Sequence, residues 1–234
     1  MNKPEVSVII PTLNEERYIL NTLKGLQRQT FKNFEVLVSD GGSKDRTVAI
    51  ARRYAKVVIK KGAGVSKSRN IAAKSAKGKL LIFIDGDTKP SRRLVETYHN
   101  AVKGKVIAAT GPIYPLEKTK RRVRYAYKFV TVDLIKLSIK AGFPSLVGSN
   151  FAVSKKVFDK VGGFNEKFVT SEDWDLAQRV KHYGKIVYLK DALVHTSARR
   201  VFAWGLKNYT LYTVDNIMRY YLLKKPNSDY EKVR

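Results

Sequence analysis

Short apolar runs alternate with amphipathic stretches in the first part of the chain. The apolar runs, which are typical of buried strands, are Val6–Ile10, Phe34–Val38, Lys56–Ile59 and Leu80–Ile84. Between them lie stretches whose apolar residues recur at helical spacing, and these begin near Asn14, Asp45 and Ser66. Strands that alternate with helices predict an α/β fold with a mixed, mainly parallel central sheet flanked by helices.

The second part of the chain is less regular but contains both kinds of element. Strands are predicted at Ile107–Thr110 and Ile186–Leu189, and helices at Arg121–Ile139, Lys155–Val161 and Glu172–Tyr183. The segment Phe202–Leu223 combines aromatic residues with Lys and Arg at helical spacing. This segment is predicted to form a C-terminal amphipathic helical tail.

Composition narrows the class of protein. The chain has 234 residues, 44% of them hydrophobic, which is enough for a substantial core. It contains no cysteine, so disulfides and thiolate metal sites are excluded. No apolar run approaches the roughly 18 residues of a membrane span, and the N-terminal segment lacks a signal-peptide pattern. The sequence therefore predicts a cytoplasmic protein.

The formal net charge of +26 is extreme and predicts an anionic partner. Nucleic acid, anionic lipid and a phosphorylated substrate all fit this charge, and solvated lysine-rich surfaces are the alternative. Basic residues outnumber acids most strongly in residues 116–141 and 199–234.

Polar residues follow three of the predicted strands at the point where each strand ends. These residues are Thr12, Asn14 and Glu15 after the first strand, Asp40 after the second, and Asp85 and Asp87 after the fourth. Ligands of open α/β sheets bind beyond the carboxyl ends of the strands, so one shared cleft is expected there. The Asp85-Gly86-Asp87 segment could hold a divalent cation against a phosphorylated substrate, or form an ordinary Asp-Gly turn.

Together, seven short motifs resemble those of family 2 glycosyltransferases of the GT-A fold. In order along residues 5–196 the motifs are Val8–Glu15, Val38–Thr47, Ser68–Asn70, Asp85–Asp87, Gly148–Phe151, Gly162–Glu166 and Ser171–Leu176. The resemblance implies transfer of a sugar from a UDP- or GDP-linked donor, with inversion at the anomeric carbon. It also implies a nucleotide-sugar-binding half in residues 1–110 and an acceptor-binding, catalytic half in residues 111–198 of the same domain, before the 199–234 tail.

For the donor, the resemblance implies a site built around a divalent cation, Mn²⁺ or Mg²⁺. The donor-binding residues would be Pro11, Thr12, Asn14, Glu15, Asp40, Arg69, Asp85, Gly86 and Asp87. Asp87 and Asp85 would hold the metal, and His195 would complete its ligands; a histidine at a strand end without a metal is the alternative. Asp40 would bind the base and Arg69 the diphosphate. Their alternatives are an Asx-turn cap and a solvated helix charge.

For catalysis, the resemblance implies that Asp173 is the general base and that Glu172 orients the acceptor or a neighbouring group. Like charges in this pair should raise one pKa and favour proton acceptance. Acids favoured by a helix dipole are the alternative interpretation. The acceptor-binding residues would be Gly148, Ser149, Asn150 and Trp174.

The chain lacks the Gln-x-x-Arg-Trp motif of processive synthases, which favours transfer of a single sugar. The basic, aromatic tail suits an anionic membrane surface and a lipid-linked acceptor, which would place the enzyme peripherally on the cytoplasmic membrane face. Packing of the tail on the catalytic domain is the alternative.

Two other function classes are compatible with parts of the sequence. A basic nucleic-acid-binding protein would fit the charge, but no helix-turn-helix, zinc-finger or RNA-binding strand motif is present, so no specific nucleic acid is expected. A nucleotidyltransferase that makes nucleotide sugars would need a Gly-rich, basic N-terminal loop. The segment Pro11–Glu15 stands in its place.

Overall fold

The computed structural model of the protein describes residues 3–220. The strands of this part of the chain are β1 (Val6–Thr12), β2 (Phe34–Asp40), β3 (Lys56–Ile59), β4 (Leu80–Ile84), β5 (Thr88–Pro90), β6 (Val106–Thr110), β7 (Ile113–Pro115), β8 (Asn150–Ser154), β9 (Lys185–Tyr188) and β10 (Val194–Thr196). The first four coincide with the apolar runs of the sequence.

Helices connect most of these strands. They are α1 (Ile19–Gln27), α2 (Thr47–Ala51), α3 (Val65–Ser75), α4 (Leu94–Ala101), α5 (Arg121–Lys128), α6 (Leu134–Lys140), α7 (Lys155–Lys160), α8 (Glu172–Val180) and α9 (Arg199–Met218). A π-helical turn, Phe129–Asp133, joins α5 to α6, and a 3₁₀ turn, Lys181–Tyr183, follows α8. None of the described helices combines the length and apolarity needed to cross a bilayer.

Seven strands form the central sheet in the order β3-β2-β1-β4-β8-β6-β9. All pairings are parallel except those of β8, which runs antiparallel to both β4 and β6. The predicted mixed, mainly parallel sheet is therefore confirmed. Strands from both predicted halves pair within this one sheet, while the functional division of the halves stays a prediction.

Both faces of the central sheet are covered, which explains the nearly continuous apolar runs. Ile82 and Ile84 of β4 face one hydrophobic cluster, whereas Leu81 and Phe83 face the other. Phe83 stacks on Phe151 of β8, with ring centroids 4.8 Å apart. Burial on both faces fixes the register of β4, because a one-residue slip would exchange the two sets of side chains.

A second sheet has three strands in the order β5-β10-β7. β10 pairs antiparallel with β5 and parallel with β7. Because β5 directly follows Asp87, this small sheet brings residues of the C-terminal segment back to the end of β4. The arrangement depends on contacts between positions about a hundred residues apart, such as the hydrogen bond from Thr196 to Asp87.

Two predicted helix boundaries were wrong. The first helix begins at Ile19 rather than at Asn14, because Asn14 has a positive φ of 55°. Side chains of Ser43, Asp45 and Thr47 accept hydrogen bonds from the main-chain N–H groups of residues 14–16 and hold them as a loop. The helix predicted at residues 45–55 is shorter: α2 begins at Thr47, whose N–H donates a 2.9 Å hydrogen bond to Asp45 Oδ1, and it ends at Ala51.

The C-terminal helix starts at Arg199, earlier than predicted, and breaks at Gly205, which has φ 75°. Part of this tail packs on the domain, since Tyr209 stacks on Tyr127. Phe202 is exposed. The predicted tail residues beyond Tyr220 lie outside the described part of the chain.

Candidate active site

A cleft of about 1150 Å³ opens beyond the carboxyl ends of β1 and β4 and extends to α8 and α9. The predicted site residues that line it are Pro11, Thr12, Glu15, Arg69, Asp85, Gly86, Asp87, Gly148, Ser149, Glu172, Asp173 and Trp174. The structure thus brings three-quarters of the predicted set to one place. A cleft of this size can hold a drug-sized ligand and a second molecule beside it.

The two aspartates after β4 point in different directions. Asp85 is partly exposed, and its Oδ1 accepts a hydrogen bond of 3.0 Å from Arg69 Nη2. Asp87 is buried; its Oδ1 accepts a hydrogen bond of 3.0 Å from Thr196, and its Oδ2 lies 3.2 Å from Arg199 Nη2. Gly86 between them is closely packed, because a Cβ would come within 3.1 Å of Thr12 Cγ2 and 3.2 Å of Glu15 Cγ, and these side chains would have to shift.

Asp87 has an electrostatic environment unusual for a carboxylate. Burial raises its pKa from the ordinary value to about 7, and the nearby charges of Asp85 and Glu15 add to that rise. The positive charge of Arg199 and the hydrogen bond from Thr196 act in the opposite direction. Ionised Asp87 therefore needs a nearby positive charge.

Arg69 lies beneath the cleft and connects its two sides. Only 2% of its side chain is exposed. Nη1 donates a hydrogen bond of 2.7 Å to Glu172 Oε1, and Nη2 donates to Asp85 and, at 2.9 Å, to the carbonyl of Gly148. Neighbouring carboxylates raise the pKa of Arg69 even though burial opposes its charge. Protein groups hold both Nη atoms in this structure, and the predicted contact of Arg69 with diphosphate stays a prediction.

Asp173 lies in the first turn of α8 and lines the cleft. Its Oδ2 accepts a hydrogen bond of 2.6 Å from the Gly148 N–H, and its Oδ1 accepts one of 2.9 Å from the Trp174 N–H. The preceding Ser171 adopts a left-handed conformation with φ 60°, which turns the chain sharply into the helix. The residue as a whole is half-buried and lines the cleft.

The pKa of Asp173 is raised to about 7. Burial is the largest cause and the adjacent Glu172 charge adds to it, whereas Arg69 and the two N–H donors oppose the shift. The like-charge effect expected from the sequence is thus present but secondary to burial. A carboxylate with a pKa near neutrality can accept a proton under ordinary conditions.

Four predicted residues do not line the cleft, and two of them belong to the first βα loops. Asp40 is buried, and its oxygens accept four hydrogen bonds, from Thr12 Oγ1, Gly42 N, and both N and Oγ of Ser43. These bonds occupy its acceptor capacity and form the Asx turn of the alternative interpretation, while the predicted contact with the base stays a prediction. Asn14 accepts a hydrogen bond from the Lys44 N–H and fixes the same loop.

Asn150 was predicted to bind acceptor, but its side chain is buried within the fold. Its Nδ2 donates to the carbonyls of Pro112 and Ala192, and its Oδ1 accepts a hydrogen bond from Tyr98. These three bonds tie β8 to the neighbouring chain segments. Asn150 is therefore a structural residue.

His195 was predicted as a metal ligand, but β10 turns it away from the aspartates. Thr196, the next residue, points to Asp87, and successive side chains of a strand face opposite sides. The His195 ring instead lies 6.3 Å from that of Tyr114. Burial and Lys89 lower its pKa. Within residues 3–220, no group of three His, Asp or Glu side chains is arranged around a metal position.

Comparison with known proteins identifies the family. The model of glycosyl transferase family 2 matches residues 7–162, about two-thirds of the chain. The chain belongs to glycosyltransferase family 2. This membership decides between the glycosyltransferase and the two alternative function classes.

Curated relatives of this family 2 chain include several bacterial glycosyltransferases. It is 28% identical over 191 residues to an uncharacterized glycosyltransferase of Haemophilus influenzae, covering 73% of this chain and 60% of the relative. It is 29% identical over 210 residues to the O-antigen chain rhamnosyltransferase RfbN of Salmonella typhimurium, covering 82% and 66%. The chain therefore spans somewhat less than two-thirds of the length of these relatives.

Solved structures share the GT-A fold with this family 2 chain. The Staphylococcus aureus TarS 1-349 structure matches with a TM-score of 0.68 at 20% identity, covering 97% of this chain and 67% of that one. The mannosyltransferase PcManGT from Pyrobaculum calidifontis, in complex with GDP-Man and Mn²⁺, matches with a TM-score of 0.63 at 20% identity, covering 92% and 65%. The predicted GT-A fold is confirmed.

Proposed function

We propose that this protein transfers one sugar from a nucleotide-diphosphate sugar to an acceptor hydroxyl, with inversion and with Asp173 as the general base. The observation that carries the proposal is that one cleft is lined by Asp85 and Asp87, which follow β4, and by Asp173 at the start of α8. Arg69 joins the two sides through hydrogen bonds to Asp85 and Glu172. A donor diphosphate and an acceptor hydroxyl would thus meet between two sets of carboxylates that have different electrostatic environments.

In the proposed reaction, the acceptor oxygen attacks the anomeric carbon while Asp173 takes the hydroxyl proton. The bond between that carbon and the diphosphate oxygen breaks, and the nucleoside diphosphate leaves with the electron pair. Attack from the face opposite the leaving group inverts the anomeric centre. Glu172, held by Arg69, keeps α8 in place so that Asp173 faces the acceptor side of the cleft.

The donor set fits a divalent cation. Asp87 and Asp85 offer carboxylate oxygens, and Mg²⁺ or Mn²⁺ is commonly held by one or two carboxylates together with substrate phosphates. The lack of a three-residue metal cluster among residues 3–220 agrees with such a shared site. When bound, the cation would neutralise charge that develops on the leaving diphosphate. PcManGT, a fold neighbour, was solved with GDP-Man and Mn²⁺, and TarS with UDP-GlcNAc.

A thermal-shift experiment tests donor and metal binding together. We expect UDP or GDP, or one of their sugars, to stabilise the protein by about 5–10 °C at roughly 100 times its Kd when Mn²⁺ is present. Asp87→Asn should remove the Mn²⁺-dependent part of that shift, measured against the variant's own baseline. Asp191→Asn, an exposed control, should keep it. Absence of any nucleotide response, alongside tight binding to a DNA duplex, would instead favour the nucleic-acid alternative.

A lipid-linked acceptor at an anionic membrane is the proposed second substrate. The cleft continues from Asp173 to apolar side chains of the α5–α6 segment, including Val130 and Leu134. The same segment exposes Tyr125 and Phe129, which do not line the cleft. Exposed aromatic and basic residues together suit the interface of an anionic bilayer.

Vesicle co-sedimentation tests this membrane proposal. We expect binding to vesicles that contain phosphatidylglycerol, weakening as salt rises, and little binding to neutral phosphatidylcholine. The double variant Arg124→Gln/Lys140→Gln should bind about 25-fold more weakly, at about 1 kcal/mol for each charge near the surface. Lys103→Gln/Lys105→Gln removes equal charge elsewhere and should bind as the wild type does. Equal losses in both double variants would mean that only net charge matters.

A further inference from the structure

Arg199, the first residue of α9, reaches into the donor site from the far end of the described chain. Its Nη1 donates a hydrogen bond of 2.8 Å to Glu15 Oε2, and its Nη2 donates one of 2.6 Å to Glu15 Oε1. Nη2 also lies 3.2 Å from Asp87 Oδ2. The guanidinium carbon lies 5.5 Å from the centre of the Tyr18 ring. Arg199 therefore binds two carboxylates of the donor cleft at once.

The main chain fixes the position from which Arg199 reaches. Glu117 accepts hydrogen bonds from Ser197 Oγ and from the Ala198 N–H, each 2.7 Å long. The Ser197 N–H donates to the carbonyl of Asp87 itself at 3.3 Å. The start of α9 is thus anchored beside Asp87 even where the Arg199 side chain moves. A long side chain on an anchored backbone can exchange partners at little cost to the fold.

The position of Arg199 matters because it supplies positive charge where the donor site would hold a cation. Asp87 is buried and needs a positive partner when ionised, and Arg199 is that partner here. A guanidinium makes bidentate hydrogen bonds with pairs of anionic oxygens, and a diphosphate offers such pairs as a carboxylate does. Two positive partners cannot both occupy the Oδ2 side of Asp87.

We propose that Arg199 competes with the divalent cation for Asp87 and moves to the donor diphosphate when the cation binds, so that cation and nucleotide bind cooperatively. This inference rests on the proposed donor site. The cation alone binds weakly because it must displace Arg199 from Asp87 without offering the guanidinium a new anion. A nucleoside diphosphate supplies that anion, and Glu15 keeps the side chain beside the site.

The test measures Mn²⁺ binding by titration calorimetry and by the electron paramagnetic resonance signal of free Mn²⁺, without and with UDP or GDP. In the wild type, the nucleotide should tighten Mn²⁺ binding, with a coupling factor in the range of about 5- to 150-fold. In Arg199→Gln, Mn²⁺ alone should bind about tenfold more tightly, nucleotide alone should bind more weakly, and the coupling factor should fall toward one. Arg199→Lys keeps the positive charge but cannot make the bidentate hydrogen bonds of a guanidinium. Its Mn²⁺ affinity and coupling factor should lie between those of the wild type and Arg199→Gln.

Lys207→Gln, an exposed position on the same helix, is the matched control and should behave as the wild type in all titrations. If wild type shows coupling but Arg199→Gln binds Mn²⁺ alone no more tightly and keeps the same coupling factor, the role of Arg199 is overturned while the donor site stands. If wild type binds neither nucleotide with or without Mn²⁺, both the donor proposal and this inference are overturned. If Arg199→Gln fails to fold, Arg199→Lys decides by the same criteria.

Discussion

Asp173→Asn is expected to slow sugar transfer to a hydroxyl acceptor by about 10²- to 10⁴-fold, the usual contribution of a general base. Asparagine has the same shape as aspartate but cannot take the hydroxyl proton. Its carbonyl can still accept one of the two hydrogen bonds that Gly148 N and Trp174 N now donate. Donor binding, measured by the nucleotide thermal shift, should stay close to that of the wild type because Asp173 is proposed to act on the acceptor and not on the donor.

The pH dependence of the wild-type enzyme provides a second readout of the same residue. A base works only when deprotonated, so the rate should rise with pH and level off above about pH 7, the raised pKa of Asp173. Below that pH, a growing fraction of Asp173 carries the proton and the rate should fall about tenfold per pH unit. Asp87 has a similarly raised pKa, so the rates are measured with donor and Mn²⁺ at saturation at each pH, and in Asp173→Asn the acidic limb should then disappear from the residual rate.

The stability of the variant separates chemistry from folding. A raised pKa means that the folded state holds the Asp173 proton more tightly than the unfolded state does. Ionised Asp173 therefore disfavours folding above its pKa, and stability from this group is lost as pH rises through about 7. Asp173→Asn should accordingly keep its Tm at pH 8. A large fall in Tm would show that the lost rate reflects misfolding.

The Asp173→Asn assay needs a control variant and a suitable acceptor. Asp159→Asn removes an exposed carboxylate that pairs with Lys155, and it should retain full activity. An acceptor that is already an ionised phosphate needs no base, so the comparison requires an alcohol acceptor. Undiminished turnover of Asp173→Asn with an alcohol acceptor would refute the assignment of the base.

Local pattern was sufficient to predict the central sheet and the place of the cleft. The apolar run Leu80–Ile84 needs burial on both faces, and this need fixes a central strand without knowledge of the rest of the fold. The polar residues that follow the strands then lie at one edge of the sheet, because the strands are parallel. Thr12, Asp85 and Asp87 reached the cleft for this reason.

Side-chain direction in short elements could not be predicted in the same way. His195 and Thr196 differ by one position on β10, and only the pairing with β5 and β7 decides which of them faces Asp87. Asn150 lies in a motif of the family, yet its polar atoms are used by main-chain carbonyls of distant segments. The registers of these long-range pairings are not encoded in a local pattern.

The contacts of Arg199 also could not be predicted from the local sequence. In the sequence it is one of many basic residues in a strongly basic tail, and nothing in its neighbours distinguishes it from Arg200. Its contact with Glu15 spans 184 positions and exists because β10 returns to the end of β4. The sequence indicated only that the acids after β1 and β4, Glu15, Asp85 and Asp87, need positive partners. It did not indicate which basic residue would be the partner.

Arg69→Met is expected to have the largest effect on stability, about 3–5 kcal/mol, because it leaves Glu172 and Asp85 without their shared positive partner. For a domain of this size the loss corresponds to a fall in Tm of about 6–20 °C. The cause is the buried location, since only 2% of Arg69 is exposed and its Nη atoms make hydrogen bonds to Glu172, Asp85 and the Gly148 carbonyl. Chemical denaturation at pH 8 measures the change.

Arg46→Met is the matched control, because Arg46 also pairs with a glutamate but is 83% exposed. Its loss should cost at most about 1 kcal/mol, as for surface ion pairs in general. Adding Glu172→Gln to Arg69→Met should recover part of the lost stability, since it removes one of the two stranded charges. If Arg69→Met costs no more than Arg46→Met, the buried guanidinium is not what holds the two sides of the cleft together, and the positions of Asp85 and α8 must be set by the sheet and its loops alone.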